Sequence, residues 1–307
     1  MTLVAVWIRR NANLRELAFA ADSRISGGES WDACPKIVAL PRPATVIAMS
    51  GDATEAYAFL LQAINVCGLL DGHQLGRTDL GWLARNLRQV FADSRRHVSD
   101  LPRGESATVP KLDVVLGGWS WRNLQFEAYS YTYNVNGELV MRRLPELEEH
   151  TANGVYFAGD AAPGARRYLK ELIREKGLPI PMRGQPGAKN VARDAYLSWE
   201  PIEVLLKLIN DPDVRTVGGV PQVLKITQNF ATESFVWRDD QGLDYFGGRR
   251  LLPNERFDRR VLRRDGDTLL LSYSDRAVGY SAPVQGPRPW DATQSPQLSD
   301  PAASNSA

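Results

Sequence analysis

The apolar positions fall in short runs separated by turn residues, and their spacing alternates between strand-like and helical blocks. Residues 3–8 form an apolar run rich in β-branched side chains, which predicts a buried strand. Residues 9–14 are polar and turn-like, and residues 17–21 form a second run that ends at Asp22-Ser23-Arg24. Gly27-Gly28 opens a loop. Residues 37–40 and 45–49 predict another strand pair, joined by a turn around Pro41-Arg42-Pro43.

The period then changes. Asp52 is a good helix N-cap, and Glu55 stands three residues on, the spacing of a capping box. Ala56, Phe59, Leu60 and Ala63 follow at helical spacing. A second helix is predicted from Thr78, with Leu80, Leu83, Leu87 and Val90 on one side. Residues 112–117 return to strand character, and residues 124–135 form a long aromatic strand. Asn136-Gly137 is a hairpin turn, with residues 139–144 as the returning arm. Residues 154–158 make a short strand leading directly into Gly159-Asp160.

Ala165, Tyr168, Leu169, Leu172 and Ile173 predict a third helix, followed by a Pro- and Gly-rich loop over residues 175–191. Ser198 is the expected cap of a fourth helix carrying Ile202, Leu205, Leu206 and Ile209, which stops at Asp211-Pro212. Gly218-Gly219 precedes a last core strand at residues 223–226. Short strands with arginine-rich loops are expected to about residue 280, then a disordered tail at 283–307.

The order is strands, two helices, strands, two helices, strands. Strands joined locally by hairpins mean antiparallel sheets, with the helix pairs covering them. The expected fold is therefore α+β, a four-layer α-β-β-α sandwich of two antiparallel sheets. A doubly wound parallel sheet does not fit, because strands and helices do not alternate one by one. Three segments follow: a core over 1–228, a β-rich extension over 229–282 packed on it, and the tail.

Composition narrows the partners. Lys plus Arg total 37 and Asp plus Glu total 36, a balance that argues against nucleic acid held by bulk charge. No stretch approaches a membrane-helix length, so no membrane partner is expected. The basic pair Arg9-Arg10 follows the first apolar run instead of preceding it, the reverse of a signal peptide, so a cytoplasmic location is expected. Cys34 and Cys67 suggest no disulfide framework. With His73, His97 and His150 scattered, no metal-ligand spacing appears and no metal or other cofactor is expected.

Several short strings, taken together, resemble one family. The run 17–24, Leu-Ala-Phe-Ala-Ala-Asp-Ser-Arg, is similar to the second strand of proteasome β subunits. Cys34-Pro35-Lys36-Ile37-Val38 resembles the segment carrying their active-site lysine, and Met49-Ser50-Gly51-Asp52-Ala53 the turn carrying their oxyanion glycine. Leu116-Gly117-Gly118-Trp119 and Thr216-Val217-Gly218-Gly219 resemble later turns of the same family, so the likeness spans residues 2–228 in order. The chain thus resembles the proteasome-type N-terminal nucleophile hydrolases, nearest to the bacterial Anbu branch, whose members also begin Met-Thr.

That resemblance implies a threonine amidohydrolase. Thr2, freed by removal of Met1, would attack a carbonyl while its own α-amine acts as base. An α-amine titrates near 7.7–8.0, well placed for proton transfer at neutral pH. Lys36 would stand beside the hydroxyl as a cation, Asp22 would hold Lys36 charged, and Gly51 would offer its N–H to the oxyanion at a helix start. Asp213 and Thr216 have the spacing of the family's late Asp and Ser or Thr. Asp194, in Arg193-Asp194-Ala195-Tyr196, is the alternative but precedes the fourth helix. Asp160 stands where the family has a serine, where it would either anchor the α-ammonium or raise the amine's pKa and weaken the base. Ile25, Met49 and Ala53 match the specificity-pocket positions and imply a modest apolar pocket. The family also implies self-assembly into rings or helical oligomers that act on peptides or small amides; the residues name no unfoldase partner.

Two alternatives accompany this reading. Some relatives begin Thr-Thr-Ile-Val-Ser-Val, and that register puts Met1 at the nucleophile position, giving a catalytically silent ring subunit. Residues 151–160, Thr-Ala-Asn-Gly-Val-Tyr-Phe-Ala-Gly-Asp, also resemble the late Gly-Asp motif of FAD-binding oxidoreductases. Those enzymes need a Gly-rich turn after the first strand, and Arg9-Arg10-Asn11-Ala12-Asn13 has none. The aromatics Trp119, Trp121, Tyr129, Tyr131 and Tyr133 read as core or subunit packing. The arginine pairs at 249–250, 259–260 and 263–264 read as a solvated, salt-bridged face.

Overall fold

A computed structural model of the chain describes residues 2–11, 14–26, 29–70, 78–98, 109–148, 154–180, 196–255, 260–265 and 268–273. Met1, Asp194 and the expected tail lie outside the described residues. The N-terminal half contains β1 (Val4–Asn11), β2 (Leu14–Ala21), β3 (Ile25–Ser26), β4 (Ser30–Trp31), β5 (Ile37–Ala39) and β6 (Thr45–Gly51). Helices α1 (Ala53–Leu69) and α2 (Leu80–Arg95) follow, then β7 (Leu112–Ser120), β8 (Gln125–Tyr133), β9 (Leu139–Arg143) and β10 (Val155–Ala158). After α3 (Ala162–Glu175) and α4 (Glu200–Ile209) come β11 (Gln222–Thr227), β12 (Thr232–Arg238), β13 (Asp244–Phe246) and β14 (Arg249–Arg250). The described chain closes with β15 (Arg260–Asp265) and β16 (Thr268–Tyr273).

The result is an α+β chain with two large antiparallel sheets and four described helices. One sheet runs β10-β1-β2-β11-β12-β13-β14, with β15 beside β12 in its single parallel pairing and β16 beyond it. The other runs β5-β6-β7-β8-β9. Side-chain alternation explains the packing. On β1 and β2, Val4, Val6, Leu17 and Phe19 face Val46, Ala48, Val115 and Ala128 of the second sheet across a shared apolar layer. Ala5, Trp7, Ala18 and Ala20 point the other way, toward α3 and α4. Ile47, Met49, Val114, Leu116 and Tyr131 pack outward against α1 and α2. A strand buried on both faces has no polar positions to alternate with, which is why residues 3–8 are continuously apolar.

Four local expectations are corrected. Residues 9–14 are not simply a turn: β1 runs to Asn11 and β2 starts at Leu14, and Arg9 pairs with Glu16 across the hairpin at 2.7 Å. Asp52 caps α1 by accepting from Thr54 N at 2.9 Å, but Glu55 does not close a capping box. The Asp52 N–H is already given to the Lys111 carbonyl at 2.6 Å, so Glu55 pairs with Arg95 of α2 and accepts from Tyr133 Oη at 3.1 Å. The N-cap of α4 is Trp199, not Ser198, with Pro201 in the first turn. Ser198 Oγ instead accepts from Arg9 Nε at 3.4 Å. In the extension, Arg249, Arg250, Arg260, Arg263 and Arg264 lie on strands, not in loops, because β12–β16 prolong the first sheet.

No described helix is long and apolar enough to cross a membrane. Cys34 and Cys67 are buried free thiols. Tyr129 and Tyr131 are core residues, while Trp119 and Trp121 stack around Phe230.

Candidate active site

The site lies where β1 begins and β2 and β6 end. Thr2 precedes β1, and β1 pairs with β2 so that Val4 faces Ala21. Asp22 is therefore set beside the start of β1, and its Oδ1 accepts from Leu3 N at 3.0 Å. Lys36 precedes β5, and its carbonyl accepts from Met49 N at 2.9 Å. All three side chains are buried, with residue exposures of 2% for Thr2, 0% for Asp22 and 3% for Lys36.

They form one closed network. The Thr2 hydroxyl donates to Asp22 Oδ1 and accepts from Lys36 Nζ. Lys36 Nζ also donates to Asp22 Oδ1 at 2.8 Å and to the Arg24 carbonyl. These three acceptors match the three N–H bonds of an ammonium. Burial holds the Lys36 ammonium below its ordinary range, and the Asp22 carboxylate offsets only part of that. Asp22 is itself held by Oδ2, which accepts from Arg24 N at 3.2 Å and from Gly218 N at 3.1 Å. Asp22 is thus the common acceptor of this corner, taking the Leu3, Arg24 and Gly218 N–H groups as well as Thr2 and Lys36.

Gly51 closes the other side. The Met49 N–H points toward Lys36, and N–H groups two apart on a strand point the same way. The Gly51 N–H therefore points off the same edge, beyond the start of β5. Gly51 has φ +103°, and a Cβ there would stand 2.0 Å from the Lys111 carbonyl oxygen, so only glycine fits. Gly159 has the parallel role beneath Thr2: its φ is +97°, and a Cβ would lie 2.0 Å from the Thr2 carbonyl oxygen.

A small cavity opens on this network, lined by Thr2, Lys36 and Gly51 together with Ile25, Met49 and Ala53. Arg24 at its rim makes a two-pronged ion pair with Asp32 at 2.6 and 2.9 Å, which fixes the chain between β2 and β4. Among the described residues, no cluster of His, Cys, Asp and Glu has the makings of a metal site.

No protein-family model matches this chain, and no curated protein matches it. What the site can do rests on its own geometry. A hydroxyl between an ammonium and a carboxylate, facing a small apolar cavity with a backbone N–H at its edge, is equipped for nucleophilic attack on a carbonyl. Thr2 is the residue whose side chain meets Lys36.

The remaining expected residues stand apart from this network. Continuing the β1–β10 register, in which Val4 faces Ala158, brings Asp160 opposite Thr2, but its side chain is exposed and lines a neighbouring, more open cavity. Asp213 is exposed in the turn after α4, its N–H bonded to Asp211 Oδ1 at 3.0 Å. Thr216 is half-buried in that turn, and of the turn it is Gly218 that reaches Asp22.

Gly159-Asp160, the string that resembles a flavin motif, ends a strand antiparallel to β1, and β1 leads into a hairpin instead of a helix. The β-α-β crossover that cradles a pyrophosphate is not what these residues form.

The sequence reading missed three contributors. Gln222 accepts from Lys36 N at 3.0 Å and donates to the Asp22 and Cys34 carbonyls, locking the lysine segment onto β11. Gly159 supports Thr2. Asp113 in turn holds Gly159, accepting from its N–H at 3.4 Å. A polar residue opening a core strand (Gln222) and an acid inside an apolar strand (Asp113) were the available signals.

Proposed function

We propose that this chain is a proteasome-type N-terminal nucleophile hydrolase that cleaves peptide or other amide bonds through Thr2. What carries the reading is the Thr2 hydroxyl clasped between Lys36 and Asp22 at the floor of a cavity lined by Ile25, Met49 and Ala53. The layered packing of helix pair, sheet, sheet and helix pair supports the fold that this family implies.

The chemistry is acyl transfer. Thr2 Oγ1 forms a bond to the substrate carbonyl carbon, and its proton passes to the Thr2 α-amine, directly or through water. The oxyanion is met by the Gly51 N–H, at the start of α1, with the Lys36 charge beside it. Collapse breaks the carbon–nitrogen bond, and the amine leaves with the proton. Water then cleaves the Thr2 ester by the reverse path. This requires a free α-amine on Thr2, supplied by removal of the methionine ahead of it. Self-assembly, with sites facing a shared chamber, belongs to the same proposal.

The test is intact mass and N-terminal sequencing of the purified protein, followed by reaction with a peptide boronate or β-lactone. A free Thr2 amine, labelling at Thr2, retention in Thr2→Ser and loss in Thr2→Ala are expected. A retained methionine, with no labelling, refutes the hydrolase and leaves a silent subunit of the same fold.

A further inference from the structure

We infer that Asp113 is a positioning residue that holds Thr2 and Gly51 in register across the two sheets; this rests on the hydrolase reading above. Asp113 is the second residue of β7, just ahead of the apolar run Val114, Val115 and Leu116. Its half-buried carboxylate accepts from Tyr156 Oη at 3.1 Å through Oδ1 and from Gly159 N at 3.4 Å through Oδ2. Its backbone carbonyl accepts from Ser50 Oγ at 2.8 Å, and it pairs with Ser50 in the β6–β7 ladder. One residue of the second sheet therefore grips β10 of the first sheet and the residue before Gly51.

The mechanical consequence comes from Gly159. Its α-carbon stands so close beneath the Thr2 carbonyl that no side chain fits between them. Where Gly159 is held, the Thr2 backbone is held, and with it the α-amine and hydroxyl. The site network itself contains nothing from β7 or β10, so Asp113 acts from outside it.

Its surroundings set how tightly it holds a proton. Burial raises the Asp113 carboxyl to about 6, opposed by Tyr156 of β10, the Gly159 N–H, Arg166 of α3 and Arg142 of β9. Arg166 itself donates to the Phe157 carbonyl at 3.2 Å, and Arg142 lies over the Tyr156 ring. Lys111 and Asp160 face the same cavity as Asp113.

The experiment measures the rate of Thr2 labelling by a β-lactone against pH in the wild type, Asp113→Asn and Tyr156→Phe. Protonation of the α-amine alone makes the logarithm of the rate fall with slope one below its pKa. The closed state holds the Asp113 proton more tightly than an open one, so protonation does not release the tie and the wild type is expected to keep slope one through pH 6. Asp113→Asn is expected to label at least about tenfold more slowly than the wild type at neutral pH. Tyr156→Phe keeps the carboxylate and its bond to Gly159 N and is expected to label faster than Asp113→Asn. Asp113→Asn labelling at the wild-type rate overturns the inference.

Hydrogen exchange, corrected for intrinsic chemistry, reads the grip without any reaction. Opening exposes Asp113 to water, where its carboxyl holds a proton less tightly, so residues 154–160 and 2–8 are expected to gain protection as pH falls through about 6 in the wild type and not in Asp113→Asn. Exchange with the same pH dependence in both proteins also overturns it. A wild type that exchanges as expected but never labels defeats the hydrolase reading and leaves the structural tie standing.

Discussion

The ion pair at the centre of the site makes an unequal prediction about its two halves. Lys36→Met removes the buried ammonium but keeps much of its length. Asp22 then still accepts from Leu3 N at 3.0 Å, Arg24 N at 3.2 Å, Gly218 N at 3.1 Å and the Thr2 hydroxyl. Breaking a buried pair by removing one partner costs about 3–5 kcal/mol, and these four donors put the loss near the lower end, about 3 kcal/mol. Asp22→Ala strands three backbone N–H groups and a buried ammonium at once. At about 1–3 kcal/mol for each unsatisfied buried group, the loss is about 5 kcal/mol or more.

Urea denaturation followed by tryptophan fluorescence separates the two, since Trp7, packed against α4, reports on the first sheet. At about 2 °C per kcal/mol, melting temperatures should fall by about 6 °C and by about 10 °C or more respectively. Lys36→Met should also slow Thr2 labelling by about 10²-fold, since it removes the charge facing the developing oxyanion. Equal losses of stability, or a larger loss in Lys36→Met, would refute Asp22 as the hub of this network.

Three further outcomes are expected. Gly51→Ala should lower stability by about 2 kcal/mol or more, from the cost of positive φ and the approach to Lys111, and should abolish labelling at Thr2; an unchanged melting temperature and labelling rate would contradict it. The folded-state carboxyl of Asp113 is raised from 3.8 to about 6, so the folded protein holds this proton more tightly than the unfolded chain. Its contribution to stability is complete below about pH 4 and is lost as pH rises through 6, a loss of roughly 3 kcal/mol. The stability of Asp113→Asn relative to the wild type should therefore rise between about pH 4 and pH 7 in urea titrations, and a constant difference would contradict it. Ala53→Leu narrows the cavity beside Thr2 and should lower kcat/KM about tenfold or more for substrates with large apolar acyl side chains, and less for small ones; a uniform effect would remove Ala53 from the pocket.

The sequence by itself determined the elements and the residue types of the site. Continuous apolar runs, a change of period at Asp52 and the Asn136-Gly137 turn fix strands, helices and a hairpin, because those signals depend on backbone repeats of a few residues. Thr2, Asp22, Lys36 and Gly51 were singled out through the resemblance of their strings to proteasome β-subunit motifs, each lying beside the start or end of an element. Ile25, Met49 and Ala53 line the cavity on the same terms.

Tertiary structure decided which of these meet. Gly218 reaches Asp22 across 196 residues, and Gln222 seals Lys36 onto β11, pairings that no local spacing encodes. Asp213 and Thr216 have the expected spacing, yet the turn after α4 presents a glycine N–H to Asp22 and leaves Asp213 in solvent. Glu55 had the spacing of a capping box, but Lys111 already held the Asp52 N–H, so it went to Arg95. Asp113 was hidden in an apolar strand, and its partners lie on the other sheet. A strand's own pattern says which face is buried, but only the packing of one sheet on the other says what a buried carboxylate will touch.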